Sequence, residues 1–409
     1  MPIRINSIDL TDWQKDVIKT YINNPHNTTI VVKAKRQVGK SICLQQIALC
    51  ESLNHNGHSV MVVSPTMPQS RRLHKELTEL IYDKGIISKK NETLLEIEFR
   101  NRSKIYFKSA EQGDNLRGFN CNLLILDEAA FIEDEVFTLL QPATDAKNAD
   151  VIMFSTPMWE DGFFYNYYQQ GSSQCKGVIS IDWCKYDTSR FLSNDKLEMY
   201  RQQLPKQRFQ TEYLGQFISS SDSGVFQNYN SCIYNYKPNS RDIIKAGIDW
   251  AADGQDRTVV IAMTSGTCHM VDILVLEGES PTNTIKKVTD FILRNKVNEV
   301  EVEKNSIGAD YKDLLVKSIG NVVNIKTFNT TNDSKRDIVE KLATAFQTGA
   351  ITIIKDDTLL SELSTYRVEK SGKAGKITYN AASGHHDDTV MSLAICYHLA
   401  SNGNKRVAL

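Results

Sequence analysis

The chain has 409 residues, more than one ordinary hydrophobic core accommodates, so two domains are expected. A hydrophobic content of 41%, a charged content of 24% and a net charge of −1 indicate a globular protein whose nucleic-acid contacts, if any, come from local basic patches. Eight scattered cysteines without CxxC spacing indicate unpaired thiols in a reducing compartment. The sequence shows neither a signal peptide nor an apolar run of the roughly 18 residues that a membrane span requires.

The first predicted element is a helix that begins after Thr11 and has Val17, Ile18 and Tyr21 on one face. Thr11 and Gln14 have capping-box spacing, so Gln14 is expected to cap this helix. The Gln14 amide also offers the donor and the acceptor that adenine requires. The spacing favours the cap and leaves the adenine contact as an alternative.

The most specific motif lies between an apolar run at 29–32 and a helical stretch at 42–49. Strand, loop and helix in this order predict a phosphate-binding P-loop, in which backbone N–H groups and the helix dipole hold phosphate. Lys40 is expected to contact the β- and γ-phosphates, and the Ser41 hydroxyl to bind Mg²⁺. Ala34 replaces the usual first glycine and is small enough for the loop to close. The predicted nucleotide-binding residues are Ala34, Lys35, Arg36, Gln37, Val38, Gly39, Lys40 and Ser41.

Apolar, β-branched runs recur between helical patterns in the first half of the chain. They predict strands at 29–32, 59–64, 105–107, 123–126, 151–154 and 178–181. Strands that alternate with helices imply a mainly parallel sheet covered on both faces. The nearly continuous apolar run at 123–126 is typical of a central, buried strand.

Polar residues end two of these strands. Asp127 and Glu128 follow the central strand, where Asp127 is expected to hold Mg²⁺ and Glu128 to polarise the water that attacks the γ-phosphate. Ser155 and Thr156 end the next strand, at the sheet edge where ligands bind in open α/β folds. Their hydroxyls either sense the γ-phosphate or form a simple turn.

Two arginines compete for one role in this site. Arg36 lies inside the P-loop, and Arg117 follows a loop just before the central strand. An arginine aimed at the developing γ-phosphate charge is worth about 10³–10⁵ in rate. The sequence does not choose between them.

The second half of the chain begins after a polar, turn-rich stretch. We expect a first domain at 1–216, a linker at 217–242 and a second domain at 243–409. Strands are predicted at 243–248, 258–263, 269–277, 299–302, 322–327 and 351–354, with helices at 282–295 and 388–399. Three adjacent strands followed by alternating helices and strands indicate an RNase H-like sheet.

Acidic residues fall where such a sheet would gather them. Asp249 ends the first strand of this half, Glu303 ends the fourth, and Asp387 and Asp388 open the last helix. Close carboxylates repel one another unless cations neutralise them, and Mg²⁺ prefers oxygen ligands. Two such ions roughly 3.5–4 Å apart can cleave a phosphodiester. The four acids therefore predict a two-metal nuclease centre.

Neighbouring residues give weaker predictions. Asp256 is expected to be a turn residue or a supporting acid. His385 and His386 are expected to shape the loop before the last helix, and contact with a scissile phosphate or a metal is the alternative. A hairpin is predicted at 366–379 with three lysines at its tip. These lysines either contact DNA phosphates or protect a strand edge from aggregation. They are Lys370, Lys373 and Lys376.

Together these motifs resemble the large terminase subunit of tailed bacteriophages, the ATP-driven DNA-packaging motor. The resemblance covers nearly the whole chain. In the first half it rests on Trp13-Gln14, the glycine-poor P-loop, and residues 116–118, 126–128 and 155–157. In the second half it rests on residues 247–249, 302–305 with Gly308, and 386–388.

The resemblance implies an α/β fold in which a P-loop ATPase domain of the helicase-like ASCE class precedes an RNase H-like nuclease domain. It implies ATP-driven translocation of double-stranded viral DNA into a procapsid and Mg²⁺-dependent endonucleolytic cutting of concatemeric DNA. The cofactors would be ATP and Mg²⁺, with Mn²⁺ as an alternative at the nuclease site. The partners would be duplex DNA, the portal protein, the small terminase subunit and further copies in a ring. The location would be the host cytoplasm on the procapsid, without a membrane.

The resemblance also implies individual roles. Gln14 would bind adenine, Arg36 would sense or stabilise the γ-phosphate, and Arg117 would be a finger that acts in a neighbouring subunit. Ser155 and Thr156 would couple hydrolysis to DNA movement. The nuclease metal ligands would be Asp249, Glu303 and one or both of Asp387 and Asp388. Two alternatives are a helicase-nuclease of DNA repair or recombination and a catalytically inactive assembly protein on the portal. The first lacks visible motifs for gripping single strands, and the second conflicts with the complete set of chemical residues.

Overall fold

The computed structural model describes residues 9–24, 27–186, 193–219, 224–251, 257–303, 306–371, 376–381 and 386–402. The chain divides into two compact units. The first is built mainly from the described residues of 1–198 and 206–220, and the second from those of 221–369 and 377–409. None of the described helices has the length and apolar character that crossing a membrane requires.

The first unit contains an eight-stranded sheet. Its strands are β1 Thr29–Lys33, β2 Ser59–Ser64, β3 Ile87–Asn91, β4 Glu96–Phe99, β5 Lys104–Ser109, β6 Leu123–Asp127, β7 Asp150–Ser155 and β8 Val178–Asp182. The helices up to residue 212 are α1 Asp12–Asn23, α2 Lys40–Asn54, α3 Met67–Ile81, α4 Asp134–Asp145, α5 Gly162–Ser172, α6 Asn194–Gln203 and α7 Lys206–Glu212.

The strand order is β3-β4-β5-β2-β6-β7-β1-β8, and the strands from β5 to β8 pair in parallel. Two buried clusters cover the two faces of the sheet. The order places β7 between β1 and β6, so the carboxyl ends of the P-loop strand, the Ser155 strand and the Asp127 strand share one edge. The mainly parallel sheet predicted from the apolar runs is confirmed.

The hairpin of β3 and β4 was not predicted. These strands pair antiparallel with each other, and β4 pairs antiparallel with β5. The three central residues of β3, Ser88, Lys89 and Lys90, are all exposed. Because β3 has no buried face along this stretch, its sequence shows no apolar alternation.

The second unit contains a five-stranded sheet and a separate hairpin. Its strands are β9 Ile244–Asp249, β10 Arg257–Thr264, β11 Met270–Glu277, β12 Val297–Glu303, β13 Asn324–Phe328, β14 Tyr366–Ser371 and β15 Lys376–Ala381. Its helices are α8 Pro281–Arg294, α9 Ser306–Ile319, α10 Asn332–Thr348, α11 Asp357–Thr365 and α12 Asp388–Ser401.

The five-stranded sheet has the order β11-β10-β9-β12-β13. The first three strands are antiparallel, and β9, β12 and β13 are parallel. The strand predicted at 351–354 is wrong, because Thr352 and Ile353 form only isolated bridges, to His269 and Ile233. The predicted hairpin is confirmed as β14 and β15.

Helix α12 packs directly on β9 at Gly247. A Cβ atom at Gly247 would lie 2.4 Å from the Cys396 backbone nitrogen and 2.6 Å from the Ser392 carbonyl oxygen. The Ser392 hydroxyl donates a hydrogen bond to the Gly247 carbonyl at 3.0 Å. This close approach fixes the start of α12, where Asp387 and Asp388 lie, relative to Asp249 at the end of β9.

Substitution of Gly247 by alanine is expected to lower the free energy of unfolding by about 2 kcal/mol or more, because the added methyl group meets backbone atoms that cannot turn away. Urea unfolding followed by circular dichroism measures the change. Gly224→Ala is the control, because its nearest neighbour would be the Arg367 Nη1 atom at 3.4 Å. Wild-type stability in Gly247→Ala would show that β9 and α12 do not pack this closely.

Candidate functional site

The P-loop joins β1 to α2 through residues with positive φ. Gln37 has a φ of 60°, and Gly39, which precedes α2, has a φ of 92°. A Cβ atom at Gly39 would lie 2.6 Å from Gln14 Nε2. Glycine is therefore required here both by the backbone conformation and by the neighbouring amide.

Gln14 connects the first helix to the P-loop. Its Oε1 atom accepts hydrogen bonds from the backbone N–H and the hydroxyl of Thr11, at 2.9 and 3.0 Å. Its Nε2 atom donates to the Gly39 carbonyl at 2.9 Å. The predicted cap is confirmed. The amide also lies beside the nucleotide loop, and adenine binding by Gln14 stays a prediction.

Lys40 is buried at the centre of the first site. Its ammonium group lies 3.0 Å from Glu128 Oε1 and donates to the Thr156 hydroxyl at 2.6 Å. It also donates to the carbonyls of Lys35 and Ala34, at 3.3 and 3.4 Å. Because Lys40 is only 6% exposed, these partners replace water around its ammonium group. The group that would bind phosphate is therefore neutralised by the acid that would activate water.

Glu128 joins the P-loop lysine to the end of β7. Its φ is 51°, in the left-handed region that a non-glycine residue rarely adopts. Its Oε2 atom accepts hydrogen bonds from the Thr156 backbone N–H at 3.1 Å and the Ser155 hydroxyl at 3.5 Å. The Ser155 hydroxyl also accepts from the Ala130 N–H at 3.0 Å. Thr156 thus contacts both charged groups of the site, Lys40 and Glu128, and Ser155 contacts Glu128.

Asp127 is almost fully buried at the end of β6. Burial, together with the adjacent charge of Glu128, raises the pKa of Asp127 to about 7, against the opposing effects of Lys40 and Arg72. An acid that remains protonated near neutrality without a cation is suited to binding a divalent ion, which would stabilise its ionised form. Arg72 on α3 was not predicted to lie near this site.

The raised pKa of Asp127 predicts a pH-dependent stability. The folded protein keeps the Asp127 proton up to about pH 7, whereas the unfolded chain releases it near its ordinary value of 3.8. The contribution of the protonated Asp127 to the free energy of unfolding is therefore fully present below pH 3.8 and is lost as pH rises towards 7. In EDTA, the stability of Asp127→Asn relative to wild type is expected to increase from pH 4 to pH 8. Urea unfolding of both proteins across this range measures the difference, and a constant difference would contradict the shift.

The two candidate arginines differ in their surroundings. Arg36 is exposed, and its Nη1 atom lies 2.9 Å from Glu212 Oε1 on α7. The Arg36 backbone N–H also donates to the Glu212 carbonyl at 3.2 Å. Arg117 is exposed just after a 3₁₀ segment, Ala110–Leu116. Which arginine acts on the γ-phosphate stays a prediction, and Arg36 would first have to leave Glu212.

The second site gathers the predicted acids. Asp249 is buried, and its pKa is raised well above its ordinary value by burial, then by a hydrogen bond that its protonated carboxyl donates to Glu303, and by the charges of Glu303, Asp388 and Asp387. The strand ends and the start of α12 therefore bring Glu303, Asp387 and Asp388 within electrostatic range of Asp249. Concentrated negative charge of this kind favours a divalent cation with oxygen ligands.

The donor set fits Mg²⁺ in its chemistry, because it offers carboxylate oxygens alone. Among the residues that the structure describes, no three His, Cys, Asp or Glu side chains already stand as a group that could hold a metal ion. A cation would therefore have to draw the four carboxylates closer together. Their role as metal ligands stays a prediction.

Supporting residues of this site escaped the sequence analysis. The Arg257 backbone N–H donates to Asp388 Oδ2 at 3.2 Å, and its guanidinium lies 3.6 Å from Glu362 Oε1. Glu362, which is buried, accepts hydrogen bonds from the backbone N–H and the hydroxyl of Thr389. Together they hold the first turn of α12. Lys335, on α10, places its ammonium group 3.0 Å from Asp387 Oδ2.

The remaining predicted residues near the second site differ in how far they are described. His386 is described, and its Nδ1 atom lies 3.8 Å from Asp388 Oδ2. Lys370 and Lys376 lie in β14 and β15, but their side chains are outside the described part of the chain. Asp256, His385 and Lys373 lie outside the described residues altogether.

Both halves of the chain match known protein families. Residues 33–231 match the family described as terminase large subunit, T4likevirus-type, N-terminal. Residues 248–351 match the family described as terminase bacteriophage T7, ribonuclease H-like domain. The chain belongs to the large terminase subunit family. It is therefore an enzyme with an ATPase domain followed by an RNase H-like nuclease domain, as the resemblance implied.

Individual relatives agree with this assignment. The large terminase subunits of Thermus virus P23-45 and Thermus phage G20c are each 23% identical over 424 aligned positions, which cover 88% of this chain and 82% of theirs. A solved large terminase from a thermophilic bacteriophage has a TM-score of 0.61 at 15% identity and covers 95% of this chain and 98% of its own. A complex of that terminase with ADP has a TM-score of 0.59 at 15% identity, with coverage of 98% and 100%. These two solved structures support the fold.

Proposed function

We propose that this large terminase subunit uses ATP hydrolysis to move double-stranded viral DNA into a procapsid and cuts concatemeric DNA with its second domain. The proposed extents are 1–216 for the ATPase domain and 243–409 for the nuclease domain, joined by a linker at 217–242. The observation that carries the proposal is the contact of Lys40 with Glu128 and Thr156, at 3.0 and 2.6 Å. It connects the phosphate-binding lysine, the water-activating acid and the end of β7.

ATP binding would change these contacts directly. The γ-phosphate competes with Glu128 for the Lys40 ammonium group, so Glu128 is released and can accept a proton from the attacking water. Because Glu128 also accepts from the Thr156 N–H and the Ser155 hydroxyl, its release changes the environment of both residues. This provides a physical route from nucleotide state to movement of the chain after β7.

In the first site, Mg²⁺ held by Ser41 and Asp127 would neutralise charge on the triphosphate. In the second site, Mg²⁺, or Mn²⁺ as an alternative, would supply two-metal phosphodiester chemistry. Its ligands there would be Asp249, Glu303, Asp387 and Asp388. The protein's own contribution in the second site is to hold these acids at two strand ends and one helix start. Arg257 and Glu362 hold that helix start and so orient Asp388.

The proposed partners follow from the packaging role. Duplex DNA must be gripped through its phosphates, since packaging tolerates any sequence. We assign Lys370, Lys373 and Lys376 to contacts with DNA phosphates. A portal protein, a small terminase subunit and further copies of this chain in a ring complete the motor, which would assemble in the host cytoplasm on the procapsid.

A packaging assay tests the proposal. Procapsids carrying their portal, mixed with the protein, ATP and linear duplex DNA, should protect DNA from added nuclease, and Lys40→Ala should abolish this protection. ATP-dependent separation of a tailed duplex without procapsids would instead favour the helicase-nuclease of repair. Protection that persists in Lys40→Ala would contradict an ATP-driven motor.

A further inference from the structure

The first turn of α10 carries a lysine into the nuclease centre. The Lys335 backbone N–H donates to the Thr331 carbonyl at 2.8 Å, in the first turn of the helix. Its ammonium group lies 3.0 Å from Asp387 Oδ2 and donates to Asn380 Oδ1 at 3.4 Å. Lys335 therefore connects three elements, α10, β15 and the start of α12.

The charge balance explains why a cation is held at this position. Asp387 contributes to the negative charge that also raises the pKa of Asp249. A lysine ammonium on Asp387 offsets part of this repulsion when no metal is bound. The same carboxylate oxygen cannot serve both the ammonium group and a divalent cation at full strength, so the two cations compete.

The pair is also accessible to a large anion. The Lys335 side chain is 23% exposed and that of Asp387 is 29% exposed, whereas Asp249 is buried. An ammonium group on a flexible four-carbon chain can turn from a carboxylate to a phosphate without movement of the helix. The scissile strand of a duplex would bring phosphates to this face of the acids.

We propose that Lys335 is a positioning residue that competes with the divalent cation for Asp387 and moves to a DNA phosphate when a duplex is bound. Metal binding at the nuclease centre is then weak in the absence of DNA and strengthened by it. Cleavage is then limited to DNA whose phosphate has taken Lys335 away from Asp387. The inference rests on the proposed nuclease function.

Calcium binding to the full-length protein, measured by titration calorimetry, tests the inference without cleavage. Without DNA, Lys335→Met is expected to bind Ca²⁺ about fivefold more tightly than wild type, because the competing ammonium group is gone. A short duplex should strengthen Ca²⁺ binding in wild type, and this gain should shrink by the same factor in Lys335→Met, since coupling is reciprocal.

Three variants make the result specific. Lys335→Arg keeps the charge and should bind Ca²⁺ as wild type does, and the exposed Lys341→Met on the same helix should also behave as wild type. Asp249→Ala defines the heat that comes from other sites. Unchanged or weaker Ca²⁺ binding in Lys335→Met would overturn the inference. That outcome differs from failure of the nuclease function, which would appear as full DNA cleavage by Asp249→Ala.

Discussion

Replacement of Asp249 by alanine is expected to reduce Mg²⁺-dependent cleavage of plasmid DNA by about a thousandfold or more while ATP hydrolysis continues. Asp249 is the buried member of the four acids, and its electrostatic partners are Glu303, Asp387 and Asp388. Loss of a ligand from a two-metal centre removes several kcal/mol of transition-state stabilisation. The variant is expected to remain folded, because the substitution removes a carboxyl group whose ionisation the site opposes.

Plasmid nicking and DNA-stimulated phosphate release should be measured on the same preparation of Asp249→Ala. Asp290→Ala is the matched control, because Asp290 is an exposed acid on α8 in the same unit. The control should cut as wild type does. Full cleavage by pure Asp249→Ala would remove the nuclease assignment and leave a chain that hydrolyses only ATP.

Substitution of Glu128 by glutamine is expected to have the opposite effect, with ATP turnover reduced by about 10²–10⁴ and DNA cleavage retained. Glutamine fills the same volume but cannot accept a proton from the attacking water. It also removes the negative charge that lies 3.0 Å from Lys40, so the lysine is free to bind phosphate. We therefore expect nucleotide binding to be retained or strengthened while hydrolysis is lost.

Steady-state phosphate release and titration with a fluorescent ATP analogue separate these two effects. Glu135→Gln, at an exposed position on α4, is the matched control. Normal turnover in Glu128→Gln would assign the proton-accepting role to another residue. Loss of nucleotide binding together with turnover would instead mean that Glu128 supports the P-loop and does not act on water.

The two centres share one electrostatic arrangement. In each, a lysine forms an ion pair with an acid to which we assign a part in the reaction, Lys40 with Glu128 and Lys335 with Asp387, both at 3.0 Å. A phosphate is the natural competitor for each lysine, from ATP in the first case and from DNA in the second. In our proposal, substrate binding therefore releases the acid that the reaction requires.

The sequence by itself determined the parts of the fold whose signals are local. Continuous apolar runs predicted β1, β2, β6 and β7, since a strand covered on both faces excludes polar residues. The P-loop residues around Lys40 and the acids at strand ends could be proposed as site residues from the sequence, because phosphate and metal chemistry restrict the residue types and their spacing. The order of elements was sufficient to predict an RNase H-like second half.

Only the tertiary structure decided which distant side chains complete each site. Glu212 holds Arg36 from 176 residues away, and Lys335 contacts Asp387 across 52 residues. Lysines and glutamates are mostly solvated, so nothing in the sequence marks the few that pair inside a site. The β3–β4 hairpin was missed for a related reason: β3 is held by pairing with its neighbour and exposes its polar side chains, so its pattern resembles a loop. Local signals follow from burial within one element, whereas ion pairs between elements depend on packing that the whole chain creates.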